Sequence, residues 1–472
     1  MLSKSAGASD AVHIAIVGLG GLNIPGSVGG RGRQLIDTLR KVPEAKIVAL
    51  CDVDQAILDD SVQAFKERGE TVTAYRDIRK LLEDKSVDAV AIATPNHWHA
   101  LAAIWACQAD KDVYGEKPFS HDLWEGRQMV AAARKYRRIV QVGTQNRSST
   151  VLREAFAYLH SGALGAIRYA HALVYRPREG IGTVSAPTPP PATVDYDLWC
   201  GPTAQAPIRR KHLHYEWHWF WDTGNGELGN NGVHMIDLCR WALDQNQLPP
   251  RAISIGGRFA AHDTAETANT QIAFFDYKPA PLICEVRNVK SATSAHGIGK
   301  FRNTDHGVVI VCEGGYLAGD SSGATAFDRQ GQKIKNIGDR AKGENIEVSH
   351  MSNFLTGVRS RKESALACEA LQGHLSAGCC HMGNVSHRLG KTAQPGTIQE
   401  ATRADHELLH AFERCREYLL DNGVDLGVTP AVLGPWLTLD PQQEKFVGTF
   451  AAPANQLSRR EYREPFVVPD LT

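Results

Sequence analysis

The chain has 472 residues, a length that suits two large domains or two domains with an extension. Hydrophobic residues make up 43% and charged residues 22%, the balance of an ordinary globular protein. Lys plus Arg and Asp plus Glu both number 52, so no net charge draws the protein to nucleic acid or an anionic membrane. No apolar run approaches the roughly 20 residues of a membrane-spanning helix. A small-molecule partner fits this composition best.

The first eleven residues are small and polar and lack the apolar core of a signal peptide. They predict a cytoplasmic protein, or a periplasmic one whose leader was removed. Ten cysteines are scattered along the chain without a C-x-x-C pair, so no zinc or redox motif is predicted. Free thiols favour a reducing compartment.

Residues 11–145 are predicted to form one α/β domain. Its predicted strands are 12–17, 46–51, 87–93, 112–114 and 139–142, and its predicted helices are 33–42, 57–68, 99–109 and 123–136. The first strand is a short apolar run that ends at Gly18, as a buried parallel strand does. Strands that alternate with helices of about ten residues indicate a doubly wound parallel sheet.

Residues 146–390 are predicted to form an α+β domain whose last helices can return onto the first domain. Strands are predicted at 167–175, 252–255, 270–275, 282–286 and 307–312, helices at 149–160, 233–243 and within 350–390, and a Pro-rich loop at 183–202. Strand runs without intervening helices indicate an antiparallel sheet. An uncovered apolar face of such a sheet predicts a homo-oligomer, a dimer or tetramer. Residues 391–472 are a C-terminal extension with one helix near 400–420 and an irregular tail.

Glycines cluster after the first predicted strand, at Gly18 and Gly20 and again at Gly29, Gly30 and Gly32. A dinucleotide fold needs glycines here for a tight turn and for close approach of the backbone to the pyrophosphate at a helix N-terminus. The usual G-x-G-x-x-G spacing is interrupted by about ten residues. Glycines alone can serve turn geometry only, but a place between a buried strand and a helix favours a nucleotide.

Asp52 ends the second predicted strand. A carboxylate there accepts hydrogen bonds from the adenosine ribose and repels a 2′-phosphate, which favours NAD over NADP. No arginine neighbours Asp52 at the strand end. Asp54 could share this role, and either residue could instead be a plain turn aspartate.

The segment Ala93–His99, ATPNHWH, follows the next long strand, at the edge of the sheet where ligands bind. Thr94, Asn96 and His97 are predicted to contact the cofactor. The two histidines have no third ligand at metal spacing, so no metal is predicted.

Two motifs resemble the Gfo/Idh/MocA oxidoreductases, the glucose–fructose oxidoreductase and inositol dehydrogenase type. The first is Gly115–Pro118, GEKP, preceded by TPNHWH, and the second is Gly224–Asp237, GNGELGNNGVHMID, where the family reads G-G-x-x-x-D-x-G-x-H-x-x-D. The resemblance covers roughly residues 12–290. It implies a Rossmann domain, a C-terminal open antiparallel sheet, bound NAD(P), and oxidation of sugars or cyclitols at a secondary alcohol. Glu116, Lys117 and Gln145 then join the cofactor-binding set.

Lys117 and His234 are the catalytic pair that the resemblance implies. The oxidation needs a base for the hydroxyl proton, and a histidine suits that role. Lys117 can hydrogen-bond the reacting oxygen and stabilise alkoxide character. The family aspartate four residues before the histidine is Asn230 here, so a carboxylate relay is in doubt. Asp237, one helical turn after His234, is expected to orient it instead.

The stretch 212–222, HLHYEWHWFWD, is the most aromatic in the chain. It suits stacking on a pyranose face or core filling beneath a loop, and its H-x-H-x-x-x-H spacing leaves a metal as a third reading. The predicted substrate-binding residues are Arg178, His214, Trp217, Trp219, Asn230 and His234.

Three further pieces resemble long family members that are often exported by the Tat route with the cofactor bound: DLWCGP at 197–202, SHMSNFLTGVRSRK at 349–362 and LGPWLTLDP at 433–441. The predicted function is NAD-dependent oxidation of a sugar or glycoside hydroxyl, including oxidation at C3 to a keto-sugar. The alternative is a glycoside hydrolase or lyase that uses transient NAD oxidation without net redox. A non-catalytic NAD sensor is disfavoured by the presence of both Lys117 and His234.

Overall fold

A computed structural model of the chain describes residues 11–21, 29–290, 299–339 and 344–472. Most of the polar N-terminus, and most of the stretch that interrupts the glycine spacing, lie outside these residues. The first domain consists of β1 (Val12–Val17), α1 (Arg31–Leu39), β2 (Ala45–Cys51), α2 (Gln55–Glu67), β3 (Thr73–Tyr75), α3 (Ile78–Glu83), β4 (Ala89–Ile92), α4 (Asn96–Gln108), β5 (Asp112–Gly115), α5 (Leu123–Lys135) and β6 (Val140–Val142).

The six strands form a parallel sheet in the order β3-β2-β1-β4-β5-β6, which confirms the predicted doubly wound fold. The sequence pattern missed only the short β3 and α3. The order reverses between β1 and β4, and a ligand crevice forms at such a switch point. The carboxyl ends of these strands therefore mark where a functional site is expected.

The second sheet is built from the strands of the remaining chain. The elements are α6 (Thr150–His160), β7 (Ile167–Tyr175), α7 (Tyr196–Cys200), α8 (Val233–Ala242), β8 (Arg251–Gly257), β9 (Thr270–Phe275), β10 (Leu282–Arg287), β11 (His306–Cys312), β12 (Gly315–Gly319), β13 (Gly323–Asp328), β14 (Lys333–Asp339), α9 (Ile346–Ser360), α10 (Ala370–Leu389), β15 (Lys391–Ala393), α11 (Pro395–Thr402), α12 (His406–Asp421), β16 (Ala431–Leu433), β17 (Leu437–Asp440), β18 (Lys445–Val447) and α13 (Ala451–Leu457). In the described part of the chain this sheet has 12 strands. Its pairs are antiparallel except β7 with β10, so the sheet is mixed.

The tail beyond residue 421 is less irregular than its sequence suggested. Strand β17 pairs with β8, and β16 pairs with β8 and β15, so the tail extends the second sheet. The Pro-rich loop likewise contains the short helix α7. These elements are three to five residues long, too short for periodicity to reveal, and the tail strands are fixed by partners far away in the chain.

Helices and tail residues from the later part of the chain pack on both sheets. Helices α6, α8 and α10 pack on one face of the second sheet. Helix α9 covers one face of the first sheet, and the start of α10 and the tail residues Phe466 and Val468 pack on its other face. The late helices and the C-terminal tail thus pack against the first domain, which leaves little freedom between the two sheets.

Helices α11 and α12 pack on the other face of the second sheet. Their apolar residues, including Leu408, Phe412 and Leu419, contact Leu173, Ile272 and neighbouring residues of the central strands. The central strands are therefore not uncovered, which removes the physical reason given above for a homo-oligomer. Oligomerisation stays a prediction, and the molar mass measured by light scattering tests it. Within the described ranges, no helix has the length and apolar character to cross a membrane.

Candidate active site

The glycine turn after β1 is built for close backbone contact. Gly18 and Gly20 have φ of +85° and +79°, and a Cβ on Gly20 would lie 1.8 Å from the carbonyl oxygen of Gly29. The amide of Gly21 donates to that same oxygen at 2.8 Å. Gly21 and Gly29 thus meet directly, and Gly29 and Gly30 continue the turn towards α1.

Gly32 completes the fingerprint from the helix side. A Cβ on Gly32 would lie 1.9 Å from the Gly18 carbonyl oxygen, so only glycine lets α1 pack this closely on the turn. The N-cap residue Gly30 provides no side-chain hydrogen bond to the first turn of α1. The N–H groups of this first turn, together with the helix dipole, fit the pyrophosphate of NAD.

Asp52 lies beside this turn and is 8% exposed. Its carboxylate accepts hydrogen bonds from the amides of Leu19 (2.7 Å) and Asp54 (2.9 Å). Burial raises its pKa, although the two amide bonds oppose the shift. The carboxylate is therefore held rigidly at the end of β2, the position that fits an adenosine ribose.

Asp54, the alternative ribose residue, is used differently. Its carboxylate caps α2 by accepting from the amide of Ala56 and also contacts Nε2 of His214 at 2.9 Å. It thereby joins the first domain to the aromatic stretch. Arg76, which follows β3, lines the same end of the cleft and donates to the carbonyl of Val53. No arginine is a sequence neighbour of Asp52, but the pairing of β3 with β2 brings Arg76 to the same end of the cleft. The expectation that no arginine lies near Asp52 is therefore wrong.

A cleft of about 270 Å³ runs from the glycine turn to the second sheet. Of the predicted site residues it is lined by Gly18, Gly20, Asp52, Thr94, Asn96, Glu116, Lys117, Arg178, His214, Trp217 and Asn230. Gly32, His97, Gln145, Trp219 and His234 do not line it. The predicted cofactor and substrate residues therefore share one cavity, with five of them lying behind its wall.

His97 lies behind that wall. It is fully buried, its Nε2 contacts the carbonyl of Trp199 at 2.9 Å, and burial lowers its pKa to about 3. His97 thus locks the two domains together. His99, which lines the cleft, is held between the carbonyls of Pro118 (2.7 Å) and Thr94 (2.9 Å), and so positions the turn that carries Lys117.

Arg31, which the sequence reading passed over, anchors the centre of the cleft. Its Nε donates to Glu116 at 2.6 Å and its Nη2 to Glu347 of α9 at 2.8 Å. Gln145 donates to the same Glu347 at 2.8 Å. Glu116 and Gln145 therefore belong to a network that joins α1, β5 and α9, and Gln145 supports the cleft from behind.

A π-helix at Leu228–Gly232 carries the substrate side of the site. Such single turns are common at functional sites because they reposition side chains within a helix. Here Asn230 receives the Lys117 ammonium on both its backbone carbonyl (2.7 Å) and its side-chain oxygen (3.1 Å). Its amide nitrogen donates to Glu227 at 3.2 Å. Asn230 thus bridges the lysine to a buried carboxylate.

Glu227 is fully buried and is the anchor that sequence analysis missed. Arg178 contacts it through Nε (2.8 Å) and Nη2 (3.0 Å), and Asn231 donates to it as well. Arg178 also donates to the hydroxyl of Tyr215 at 2.9 Å. Glu227 lies inside the motif that suggested the family, but its partner is 49 residues away in the chain, so no local pattern could show the pair.

The ionisation of Lys117 and His234 is set mainly by burial. Burial lowers the pKa of Lys117 to about 8, with nearby Glu116 opposing the shift and Arg31 adding to it. Burial and the neighbouring Lys117 hold the pKa of His234 well below its usual range. Nδ1 of His234 is buried without a hydrogen-bond partner among the described residues. Near neutral pH the pair is thus an ammonium donor and a neutral imidazole.

Asp237 does not orient His234. Its carboxylate forms a two-point ion pair with Arg147 (2.7 and 2.9 Å) and accepts from Ser376 of α10. The expectation from helical spacing is wrong because Asp237 points into the contact between α8 and α10.

The aromatic stretch contributes packing more than an open platform. Trp217 and Trp219 are only 9% and 6% exposed. The ring of Trp217 stacks on His218 at 3.6 Å, and the guanidinium of Arg178 lies 5.2 Å from the ring of Trp219. His212, His214 and His218 are not grouped as metal ligands anywhere in the described ranges. The stretch therefore forms a wall of the cleft, with His214 attached to Asp54.

Two regions of the chain match known families. Residues 12–144 match the family described as "Oxidoreductase family, NAD-binding Rossmann fold", and residues 180–293 match "Oxidoreductase family, C-terminal alpha/beta domain", both of the Gfo/Idh/MocA group. The first match contains the glycine turn and Lys117, and the second contains the π-helix and His234.

Similar proteins include dehydrogenases of sugars and cyclitols. The levoglucosan dehydrogenase of Pseudarthrobacter phenanthrenivorans is 34% identical over 226 residues, 46% of this chain and 49% of that one. The myo-inositol 2-dehydrogenase of Thermotoga maritima is 27% identical over 185 residues, 39% of this chain and 48% of that one. The chain thus spans about half the length of these curated relatives.

Solved structures share the fold at low identity. The WlbA dehydrogenase from Bordetella pertussis, in complex with NADH and UDP-GlcNAcA, has a TM-score of 0.55 and 18% identity, covering 78% of this chain and 93% of that one. The aldose-aldose oxidoreductase from Caulobacter crescentus, complexed with glycerol, has a TM-score of 0.56 and 15% identity, covering 79% and 97%.

Proposed function

Because the chain belongs to the Gfo/Idh/MocA oxidoreductase family, we propose that it oxidises a secondary hydroxyl of a sugar or glycoside in an NAD-dependent reaction. The observation that carries the proposal is the contact of Lys117 with Asn230 at the substrate end of the cleft, 2.7 Å from Nζ to the backbone oxygen. A half-buried lysine with a pKa of about 8, and a histidine whose Nδ1 has no hydrogen-bond partner among the described residues, provide the donor and the base that alcohol oxidation needs.

NAD, when bound, supplies the hydride acceptor. The glycine turn and the free N-terminus of α1 would hold its pyrophosphate, and Asp52 its adenosine ribose. Lys117 then lies farther along the same cleft, towards the second sheet. This order supports a substrate hydroxyl beside Lys117 and Asn230.

Lys117 and His234 divide the proton chemistry of the oxidation. The Lys117 ammonium donates a hydrogen bond to the reacting oxygen and stabilises its developing negative charge. His234 lies behind the cleft wall, so its neutral imidazole takes the hydroxyl proton through one intervening water as the carbon loses its hydrogen with the electron pair to NAD. Asn230 holds the ammonium in place and transfers no proton itself, because a neutral amide is neither an acid nor a base near neutral pH.

A panel of sugars, cyclitols and glycosides monitored at the NADH absorbance tests the proposal. NADH should accumulate with a cognate substrate, and product analysis should find a keto-sugar, with C3 as the first carbon to examine. Lys117→Ala, run on the same panel, is the matched control for contaminating dehydrogenases. If a glycoside were cleaved without NADH accumulation, the redox-neutral activity would replace this proposal.

That alternative has one similar protein in its favour. The Shewanella protein named "Glycosyl hydrolase family 109 protein 2" is 32% identical, but over only 25% of each chain. A match of that extent supports the shared family more than a shared reaction, so oxidation remains the first proposal.

A further inference from the structure

Arg176 and Arg178 follow strand β7 and lie next to each other in space. They differ in the contacts that their side chains make. Arg176 and Arg178 flank Pro177, and alternate residues of an extended chain point to the same side. Both line the cleft. The guanidinium of Arg178 is neutralised by Glu227 and also held by Tyr215. Arg176 is exposed, and its side chain makes no ion pair with any residue that the structure describes.

The backbone of Arg176 is fixed even though its side chain is not. Its amide donates to the carbonyl of Arg287 at 2.9 Å, and its own carbonyl accepts from the side chain of Asn288 at 2.7 Å. The guanidinium therefore extends from a rigid point at the end of the sheet. A positioned side chain loses less conformational freedom when it binds a ligand than one on a mobile loop.

His306 adds a second polar group at the same place. It begins β11, opposite Val174 of β7, two residues before Arg176. Nδ1 of His306 is buried without a hydrogen-bond partner among the described residues, and the positive charge of Arg176 helps to lower its pKa, after burial. The two residues thus lie at the same end of the paired strands β7 and β11.

Two of the three acids named around this corner are already paired with other cations. The acids near His306 are Asp320, Glu227 and Asp305. Glu227 is paired with Arg178, Asp305 lies 3.8 Å from Lys300, and Asp320 accepts from the amide of Ser322. Lys117 contributes a further ammonium at the same end of the cleft. A carboxylate would offer the Arg176 guanidinium a charged partner, whereas a neutral sugar would not.

We propose that Arg176 binds a carboxylate on the substrate, so that the protein prefers sugar acids, such as uronates and their glycosides, over the corresponding neutral sugars. A planar guanidinium matches a carboxylate through two parallel hydrogen bonds. The inference rests on the proposed function for its assignment of the substrate end of the cleft.

Binding of matched ligand pairs tests this inference without turnover. The protein with saturating NADH is titrated with methyl β-D-glucuronide and methyl β-D-glucoside, and with the two galacto counterparts, by NADH fluorescence or calorimetry. We expect the acid to bind about tenfold more tightly in at least one pair, the size of effect that a charged hydrogen bond produces. Arg176→Gln should abolish this ratio, and Arg176→Lys should retain part of it. Arg153→Gln, which removes an exposed arginine of α6, is the matched control and should keep the ratio.

Equal binding of acid and neutral sugar, a ratio unchanged in Arg176→Gln, or no binding of any acid would overturn the inference. The proposed function can fail separately. An acid that binds through Arg176 but forms no NADH when NAD is supplied would contradict the oxidation and leave the recognition intact. A neutral sugar that is oxidised, and that binds as tightly as its acid, would leave the oxidation intact and contradict the recognition of a carboxylate by Arg176.

Discussion

The half of the cleft that fits the dinucleotide and the half that faces the substrate are held in place by different interactions. The dinucleotide half consists of backbone: glycines that admit no Cβ, a helix N-terminus without a side-chain cap, and a carboxylate fixed by two amides. The substrate half consists of side chains joined to one another, with Lys117, Asn230, Glu227 and Arg178 in one chain of contacts. Substitutions should therefore affect cofactor binding in the first half and chemistry in the second.

The largest expected effect lies in the substrate half. Lys117→Ala and His234→Ala should each lower kcat by about two to four orders of magnitude, because each removes a positioned proton donor or acceptor. The affinity for NAD, measured by fluorescence titration, should change much less, since the pyrophosphate and ribose contacts lie at β1 and β2. Near-normal kcat in both variants on the cognate substrate would show that the chemistry lies elsewhere.

In the dinucleotide half, a single methyl group added to the glycine turn should weaken NAD binding. Gly20→Ala places a Cβ 1.8 Å from the Gly29 oxygen, and forcing an atom into such space costs about 1–3 kcal/mol, so NAD should bind about 10 to 100 times more weakly. Gly69→Ala is the matched control, because Gly69 also has a positive φ (+71°) but no atom within 4 Å of its Cβ position. Equal NAD affinity in the two variants would mean that the close approach of Gly20 to Gly29 does not control cofactor binding.

The preference for NAD over NADP should be a smaller effect, and it depends on the opposite charges of Asp52 and Arg76. NAD should bind more tightly than NADP, because Asp52 repels a 2′-phosphate. Arg76 at the same end of the cleft limits that preference. Asp52→Asn should narrow the ratio of the two dissociation constants by about tenfold, and Arg76→Gln should widen it. NADP binding more tightly than NAD in the unmodified protein would contradict the assigned role of Asp52.

Asn230→Asp should change activity least. The new carboxylate would favour the charged form of Lys117 and raise its pKa by about one unit or more. It would also face Glu227, which accepts from Asn230 at 3.2 Å, so some loss of stability is expected. Asn231 also donates to Glu227, so Asn231→Asp is the matched control. A pH profile that moves upward in Asn230→Asp alone is the expected result, and equal profiles in both variants would remove Asn230 from the site.

The same division explains what the sequence could predict. The positions of Gly18, Gly20 and Asp52 at the cleft could be predicted because they follow from residues a few positions away in a strand and a turn. The strands Ile167–Tyr175 and Thr270–Phe275 were placed to the residue because they are long and apolar. Local patterns decide both kinds of feature.

Long-range contacts could not be predicted in this way. Arg178 meets Glu227 49 residues along the chain, and His214 meets Asp54 across 160 residues. Asp237 was expected to orient His234 because helical spacing is the only local guide, but the packing of α8 on α10 decided otherwise. The covering of the second sheet by α11 and α12 likewise depends on how the extension folds back.

The pH dependence of kcat/KM for the cognate substrate tests the central claim most directly, namely that the Lys117 ammonium is the donor to the reacting oxygen. With its pKa lowered to about 8, the lysine is charged below that pH and loses its proton above it. Activity should therefore fall as the pH rises through about 8, and Lys117→Arg should remove this fall, because an arginine stays charged. His234 should add no acidic limb near pH 6.5, since its pKa is held well below that value. A kcat/KM that instead rises through pH 8 would show that neutral Lys117 is the base and contradict the account.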